Sequence, residues 1–199
     1  MVLQSIIARH VDCNELVGMA SLDLSAAFDM VNTNLLIKRL KIVGIPSDVV
    51  DLIKIWLSDR SFYVNIDGRN SILSELFCGT VQGSILGPII YVIYVSPLFD
   101  LHKLTNFADD NFIIRWSRHM PALIADLEES LEAITKWLRG SGLAVNESKT
   151  ELCLFHRLEQ PNLKIKIFNS EIKSQVSMNV LGVLFDSKLQ WSAQVATTV

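Results

Sequence analysis

Val17-Gly-Met-Ala-Ser-Leu-Asp-Leu24 (VGMASLDL) is a run of small and apolar residues broken by a single carboxylate. Such a run reads as a strand buried on both faces, because a half-buried strand would alternate polar and apolar residues. Asp23 then stands at the mouth of a hydrophobic strand, where an unpaired charge is hard to explain as surface decoration. Downstream, Leu36, Leu40 and Val43 recur at helical spacing from Asn34 to Val43, and Gly44 and Pro46 stop the pattern. Ser47 is placed to cap a second helix with Val49, Leu52, Ile53, Trp56 and Leu57 on one face. Ser61–Ile66 and Ile72–Phe77 read as strands around the turn residues Asp67-Gly68-Arg69-Asn70.

An apolar helix follows Gly83 and is expected to end near Pro97. Its longest apolar run, Ile85 to Val95, is 11 residues and contains Gly87 and Pro88, so it reads as a buried helix rather than a membrane span. Leu104–Ala108 and Phe112–Trp116 flank Asp109-Asp110-Asn111 as a hairpin turn. Pro121 opens a long helix with Leu123, Leu127, Leu131, Ile134 and Leu138 along one side, ended by Gly140 and Gly142. Leu143–Val145 and Glu151–Phe155 read as strands joined by Asn146–Thr150, with further strands at Leu163–Phe168 and Asn179–Phe185. Helices between mostly non-consecutive strands predict an α+β sheet covered on one face.

Composition narrows the classes. Of 199 residues, 50% are apolar and 20% charged, which suits a globular core and excludes collagen-like and low-complexity chains. Residues 1–100 carry 7 Lys/Arg against 10 Asp/Glu and residues 101–199 carry 11 against 11, so neither half is a basic arm. Any polyanion site must therefore be local. Three separated cysteines, Cys13, Cys78 and Cys153, predict reduced thiols in an intracellular protein, in nucleus or cytoplasm. Met1–Ala8 is only mildly apolar before Arg9, His10, Asp12 and Glu15, so no signal peptide is expected.

Three carboxylates invite chemistry. If Asp23, Asp109 and Asp110 converge, they cannot all stay ionised without cations, because close like charges raise one another's pKa. Two Mg²⁺ ions would resolve this and would serve in-line attack at phosphorus, with Mn²⁺ as the alternative. Read alone, Asp109-Asp110-Asn111 is ordinary turn chemistry. Gly79-Thr80-Val81-Gln82-Gly83-Ser84 offers either a backbone approach to a nucleotide or a loop with Ser84 as a cap, and Lys149 either meets a phosphate or is solvated. His10, His102, His119 and His156 have no ligand spacing.

The order of the motifs decides between these readings. SLDLSAAFDMV (Ser21–Val31), GTVQGSILGP (Gly79–Pro88), NFADDNF (Asn106–Phe112), LAVNESKTEL (Leu143–Leu152) and VLGVLFDSKLQW (Val180–Trp191) together resemble the reverse transcriptases of non-LTR (LINE-type) retrotransposons. The resemblance runs from about Leu16 to Trp191. It implies a polymerase palm at 16–32 and 78–192, an antiparallel sheet of four core strands backed by helices around Pro121–Arg139 and Ser84–Tyr94, with partial fingers at 33–77 inserted. It implies RNA-directed DNA polymerase activity, a nucleotidyl transfer from a deoxynucleotide to a primer 3′-hydroxyl on an RNA template with a DNA primer, without a membrane.

Residue by residue, the resemblance implies metal binding by Asp23, Asp109 and Asp110, with the Leu24 carbonyl nearby. Phe28 would crowd a sugar 2′-hydroxyl, and Gln82 and Gly83 would floor the incoming nucleotide. Lys149 would lie near the triphosphate as a general acid for pyrophosphate, and Leu181-Gly182 would belong to a hairpin gripping the primer 3′ end. Asp29 matches a second motif carboxylate with an expected structural role. The chain also departs from the pattern: Val81 replaces the usual Pro before Gln-Gly, which predicts a less rigid loop, and Val95-Ser96-Pro97 replaces Ile-Asn-Asp. Upstream fingers and the thumb are expected to be absent, so the chain alone is expected to be an inactive fragment. The alternative is a non-catalytic palm-derived relic that binds RNA or protein; a third reading is another two-metal transfer, such as cyclisation, that needs no primer.

Overall fold

The structure, a computed structural model, describes residues 2–102, 104–107, 110–157, 163–167, 170–191 and 194–196. Ala108, Asp109 and Phe168, which carry parts of the readings above, lie outside the described residues. The first half of the chain runs α1 (Val2–Asp12), β1 (Leu16–Leu22), β2 (Leu24–Ser25), α2 (Thr33–Ile42), α3 (Ser47–Trp56), β3 (Arg60–Phe62), β4 (Asn65–Ile66), β5 (Arg69–Asn70), β6 (Ser74–Leu76) and α4 (Leu86–His102). The second runs β7 (Thr105–Phe107), β8 (Asp110–Ser117), α5 (Met120–Gly140), β9 (Ala144–Val145), β10 (Glu151–Phe155), β11 (Lys164–Ile167), β12 (Ser170–Lys173), β13 (Ser177–Val180) and β14 (Val183–Asp186). Two compact units result: residues 1–25, 98–138 and 144–199 form the first, and 26–97 with 139–143 the second.

The first unit is built on a four-stranded antiparallel sheet of order β10-β1-β8-β7, as expected. On one face, Val17 and Met19 pack with Phe112, Ile114, Cys153 and Phe155, and are covered by Leu3 and Ile7 of α1 and by Met178, Val180 and Phe185 of the β13–β14 hairpin. On the other, Gly18 lies under α5, where an added Cβ would sit 2.6 Å from Leu127 Cδ1. Only glycine admits that approach without displacing the leucine. The sheet is therefore covered on both faces, which corrects the expectation of one. The reason is α1, whose Leu3, Ile7 and Val11 stand four residues apart and turn one face to the sheet. Burial pushes the Cys153 thiol up to about 12, with Asp186 and Glu151 adding to it, so it stays a protonated core residue.

Leu123, Leu127, Leu131, Ile134 and Leu138 are all buried along α5, as their spacing predicts. The Asp-Asp-Asn turn is shorter than expected. Phe107 pairs with Asp110 and Asn106 with Asn111, so Asp110 and Asn111 are strand residues and only positions 108–109 separate β7 from β8. Asn179–Phe185 proves to be a hairpin, with Val180 paired to Val183.

In the second unit the Asn32 side chain caps α2, accepting the Leu35 N–H at 3.0 Å. Leu36 and Leu40 are buried as expected, but Val43 is the 56% exposed C-cap and Arg39 is buried in its stead. The Arg39 guanidinium donates to Ser141 Oγ at 2.8 Å and to the Tyr94 carbonyl, and lies 4.4 Å from the Tyr94 ring centroid. Burial pulls its pKa down from the ordinary value, with Tyr94 opposing. In α3 the N-cap is Pro46 rather than Ser47, and Val50 is the buried residue while Val49 and Leu52 are exposed.

Helix α4 buries Tyr91, Tyr94 and Val95 but exposes Ile89 and Val92, so it is one-sided rather than buried all round. It also runs through Pro97, where the expectation ended it. Proline cannot donate to the Ile93 carbonyl, and the Ser96 hydroxyl donates there instead at 3.0 Å. The Asp67-Gly68 turn closes β4 on β5 with both residues at positive φ, as those residue types predict. No helix among the described residues is long and apolar enough to cross a membrane.

Arg39 generates a test. Arg39→Ala leaves Ser141 Oγ and the Tyr94 carbonyl without its donors and opens a cavity, and should cost about 2–4 kcal/mol in urea denaturation. Lys38→Ala, exposed on the same helix, should stay within about 0.5 kcal/mol of wild type; equal losses would deny Arg39 its clamping role.

Candidate active site

In the first unit the site is made by strand ends. The last β1–β8 pair is Leu22 with Asn111, and Asp23 and Asp110 are the next residues outward on the two strands. Strand alternation puts Asp110 on the face of Phe112 and Ile114, and, carried one residue past β1, puts Asp23 on the face of Val17 and Met19. Asp109 lies outside the described residues. Among the described residues, no group of three or more His, Cys, Asp or Glu is gathered closely enough to hold a metal ion.

Asp23 is also where β1 changes partners. Ser21 pairs with Glu151 of β10, whereas Leu24 pairs with Val145 of β9, and the Asp23 carbonyl accepts the Asn146 N–H at 2.8 Å. Leu24 itself is buried. Between β9 and β10 the 3₁₀ turn Glu147–Lys149 brings Lys149 Nζ to 3.8 Å from Asp23 Oδ2. With side chains 69% and 37% exposed, this pair contributes little to stability; it places a positive charge beside a carboxylate. The donor set at these strand ends is hard carboxylate oxygen, partly open to water, which suits a hard divalent cation such as Mg²⁺ better than a thiophilic one.

In the second unit, residues 26–31 turn tightly: the Asp29 and Met30 N–H groups both donate to the Ala26 carbonyl. Phe28 is half-buried, its ring 4.6 Å from that of Tyr91 and tilted by 33°. Against this turn lies the loop leading to α4. Gly79 N–H donates to the Val31 carbonyl and Thr80 N–H to the Phe28 carbonyl, each at 2.8 Å. Gly79 has φ +88°, and a Cβ there would come within 2.8 Å of the Asp29 carbonyl oxygen. Gln82 and Gly83 are exposed on this loop, Gly83 at φ +75°.

Ser84 is a capping residue, as one reading had it: its Oγ accepts the Gly87 N–H at 3.0 Å and donates to the Val81 carbonyl at 2.6 Å. The Val81 carbonyl also accepts the Ser84 N–H at 3.2 Å, so the loop is pinned beside Val81 without a proline. Sequence reasoning gave Asp29 only a structural role; its Oδ1 accepts the Gln82 side-chain amide at 2.7 Å. No spacing signals a bond across 53 residues.

Leu181 and Gly182 form the two-residue tip of the β13–β14 hairpin, in the first unit. Both have positive φ, 52° and 79°, and Leu181 is 41% exposed. The hairpin is locked at its base by Asp186, whose carboxylate accepts the Lys188 and Gln190 N–H groups at 3.0 Å and that of Trp191 at 2.8 Å. Burial pushes the Asp186 pKa up, but the donated backbone hydrogen bonds outweigh it and hold the carboxyl below the usual range.

Comparison with known proteins gives a consistent result. Residues 5–185 match the sequence model of the family described as reverse transcriptase (RNA-dependent DNA polymerase). The chain is 26% identical over 187 residues to the RNA-directed DNA polymerase from mobile element jockey of Drosophila melanogaster, covering 88% of this chain and 20% of that protein. It is 26% identical over 204 residues to the probable RNA-directed DNA polymerase from transposon X-element of the same fly, covering 98% and 22%. The chain thus spans about a fifth of the length of these curated relatives.

Among solved structures, apo telomerase from Candida tropicalis truncated from its C-terminal domain aligns with TM-score 0.61 at 15% identity, over 92% of this chain and 38% of that one. Telomerase from Candida albicans, in complex with a TWJ fragment of telomeric RNA, aligns with TM-score 0.61 at 13% identity, over 93% and 33%. At these identities the likeness is one of fold: an α+β, palm-like polymerase architecture, as the motifs implied.

The hairpin tip yields its own test. A leucine in the left-handed region costs roughly 1–2 kcal/mol, whereas Asn-Gly is the favoured pair for such a tip. Leu181→Asn should therefore raise stability by about 1 kcal/mol in thermal denaturation. A loss of stability would mean that the leucine side chain is needed by the fold.

Proposed function

The chain belongs to the reverse transcriptase (RNA-dependent DNA polymerase) family, and on that premise we propose that it works as the polymerase palm (16–32 and 78–192) with partial fingers (33–77) of a non-LTR retrotransposon enzyme. The proposed reaction is in-line transfer: a DNA primer 3′-hydroxyl, paired to an RNA template, bonds to the α-phosphorus of a deoxynucleoside triphosphate as the bond to pyrophosphate breaks. The observation that carries this reading is the position of Asp23 and Asp110 at adjoining ends of the two central strands, with the Lys149 ammonium 3.8 Å from Asp23.

Asp23, Asp110 and Asp109 are the residues that would hold Mg²⁺, with Mn²⁺ as a substitute, beside the Leu24 backbone. Divalent cations bound there supply positive charge to the phosphate oxygens and ease deprotonation of the primer hydroxyl. Lys149 donates a proton toward the departing pyrophosphate, a role its exposed side chain can reach. Phe28, braced on Tyr91, excludes a 2′-hydroxyl by bulk. Gln82 and Gly83 underlie the incoming nucleotide, Gly83 because a backbone without Cβ permits close approach. The Leu181-Gly182 tip contacts the primer 3′ end.

Two experiments test the proposal. In a full-length polymerase carrying this segment, with RNA template, annealed primer, deoxynucleotides and Mg²⁺, Asp23→Asn, Asp109→Asn and Asp110→Asn should each lower extension by roughly 10³-fold without loss of fold by circular dichroism. Undiminished extension in any of the three would remove the mechanism. In the same full-length polymerase, with fingers and thumb present, Phe28→Val should raise ribonucleotide over deoxynucleotide incorporation by about tenfold. An equal fall with both sugars would mark Phe28 as a packing residue only.

A further inference from the structure

We propose that Asp29 is a positioning residue that sets which way the Gln82 side-chain amide faces. The inference rests on the reading of Gln82 as a residue beneath the incoming nucleotide. An ionised carboxylate can only accept hydrogen bonds, so the Gln82 amide must turn its nitrogen to Asp29 Oδ1, the 2.7 Å contact seen in the structure. Gln82 Oε1 is then the group left over, and the residue offers a nucleotide an acceptor. Without Asp29 the amide could rotate and offer a donor as readily as an acceptor.

The frame around the bond is stiff enough for this control to matter. Asp29 sits in the Ala26–Met30 turn, which is tied to the loop by the Gly79–Val31 and Thr80–Phe28 backbone bonds at 2.8 Å each. Gly79 lies so close to the Asp29 backbone that an added Cβ would fall 2.9 Å from its Cα. On the far side, Ser84 holds the Val81 carbonyl with its N–H and its hydroxyl. Main-chain bonds thus fix where Gln82 leaves the loop, and the Asp29 carboxylate fixes how its amide is turned. Both residues are exposed, so the bond is not a core interaction whose loss would unfold the unit. It is charge-assisted, which makes it stronger than a neutral surface hydrogen bond.

The same turn carries Phe28, one residue before Asp29, with its ring on Tyr91. The residue proposed to select the sugar and the residue that orients Gln82 are therefore neighbours on one short piece of chain. Asp29 serves specificity without needing to touch the nucleotide.

The test is an exchange of donor and acceptor. In primer extension by a full-length polymerase carrying this segment, Asp29→Ala should raise KM for the deoxynucleotide about tenfold, with a smaller change in kcat and an unchanged Tm. Gln82→Glu should do at least as much harm, because it sets two carboxylates against each other. The double variant Asp29→Asn with Gln82→Glu restores a donor–acceptor pair with an acceptor oxygen left over, and should return KM to within about twofold of wild type.

A purely structural Asp29 would instead show a lowered Tm in Asp29→Ala and no rescue by the exchange, and either result overturns the proposal. The second readout needs no catalysis: the side-chain amide protons of Gln82, followed by nuclear magnetic resonance, should shift on Asp29→Ala. Absence of that shift refutes the bond whatever the kinetics show. Failure of a full-length polymerase carrying this wild-type segment to extend any primer, with the amide shift present, would remove the polymerase reading and with it Asp29's part in substrate positioning, while leaving the hydrogen bond established.

Discussion

β1 has no face left for water, and the arrangement of the first unit follows from that constraint. One face meets α1 and the β13–β14 hairpin, and the other meets α5 across Gly18. A strand enclosed on both sides and paired on both edges cannot carry a charge until it leaves the sheet. Asp23 is the first residue past β1, and Asp110 stands at the matching end of the neighbouring strand. Register guards this geometry. A slip of one residue would turn Asp23 toward the face of Gly18 and α5, and would set a larger residue against Leu127 in place of Gly18. The packing of apolar residues at one end of the strand therefore specifies where the carboxylate emerges at the other.

Much of this was legible because burial on two faces and helical spacing both leave period-dependent marks. The five leucine and isoleucine positions of α5 are buried, and the Asp67-Gly68 tip and the Glu147–Lys149 turn fall where turn-forming residues sit. What failed was the choice of face. Spacing shows that α2 is amphipathic, yet it cannot reveal that Ser141 and Tyr94 reward burial of Arg39 over Val43. In α3 the buried residue is Val50, because two adjacent valines give the same periodic signal for two different faces. Pro97 misled for a local reason, since Ser96 supplies the bond that proline withholds.

The site shows a similar division. Quoted in order, the motifs identify the family, and they name residues by position without saying what holds them. Residue type and the neighbours Asp109 and Asn111 favour a turn for Asp110, but it is the first residue of β8, fixed by the ladder to Phe107. Strand pairing fixes the backbone of Asp110 and the face its side chain takes more firmly than a loop would. Gln82 was legible as a motif residue, while its tether was not. Hydrogen bonds between residues 53 positions apart leave no periodic trace; only the fold brings Asp29 beneath the loop.

Charge is the remaining apparent conflict, because an acidic chain with net charge −3 is an odd binder of polyanions. The strand ends offer a resolution. On the proposed reading, divalent cations held by the strand-end carboxylates would turn a phosphate-repelling surface into a phosphate-attracting one, so a net acidic count does not by itself tell against a nucleotide site. The Asp23–Lys149 pair expresses the same need in a weaker form, a positive charge drawn to the strand end by an exposed carboxylate. On this argument the acidity of the first hundred residues does not tell against a nucleotide-directed function. What matters is where the carboxylates emerge, and the buried strand settles that for Asp23.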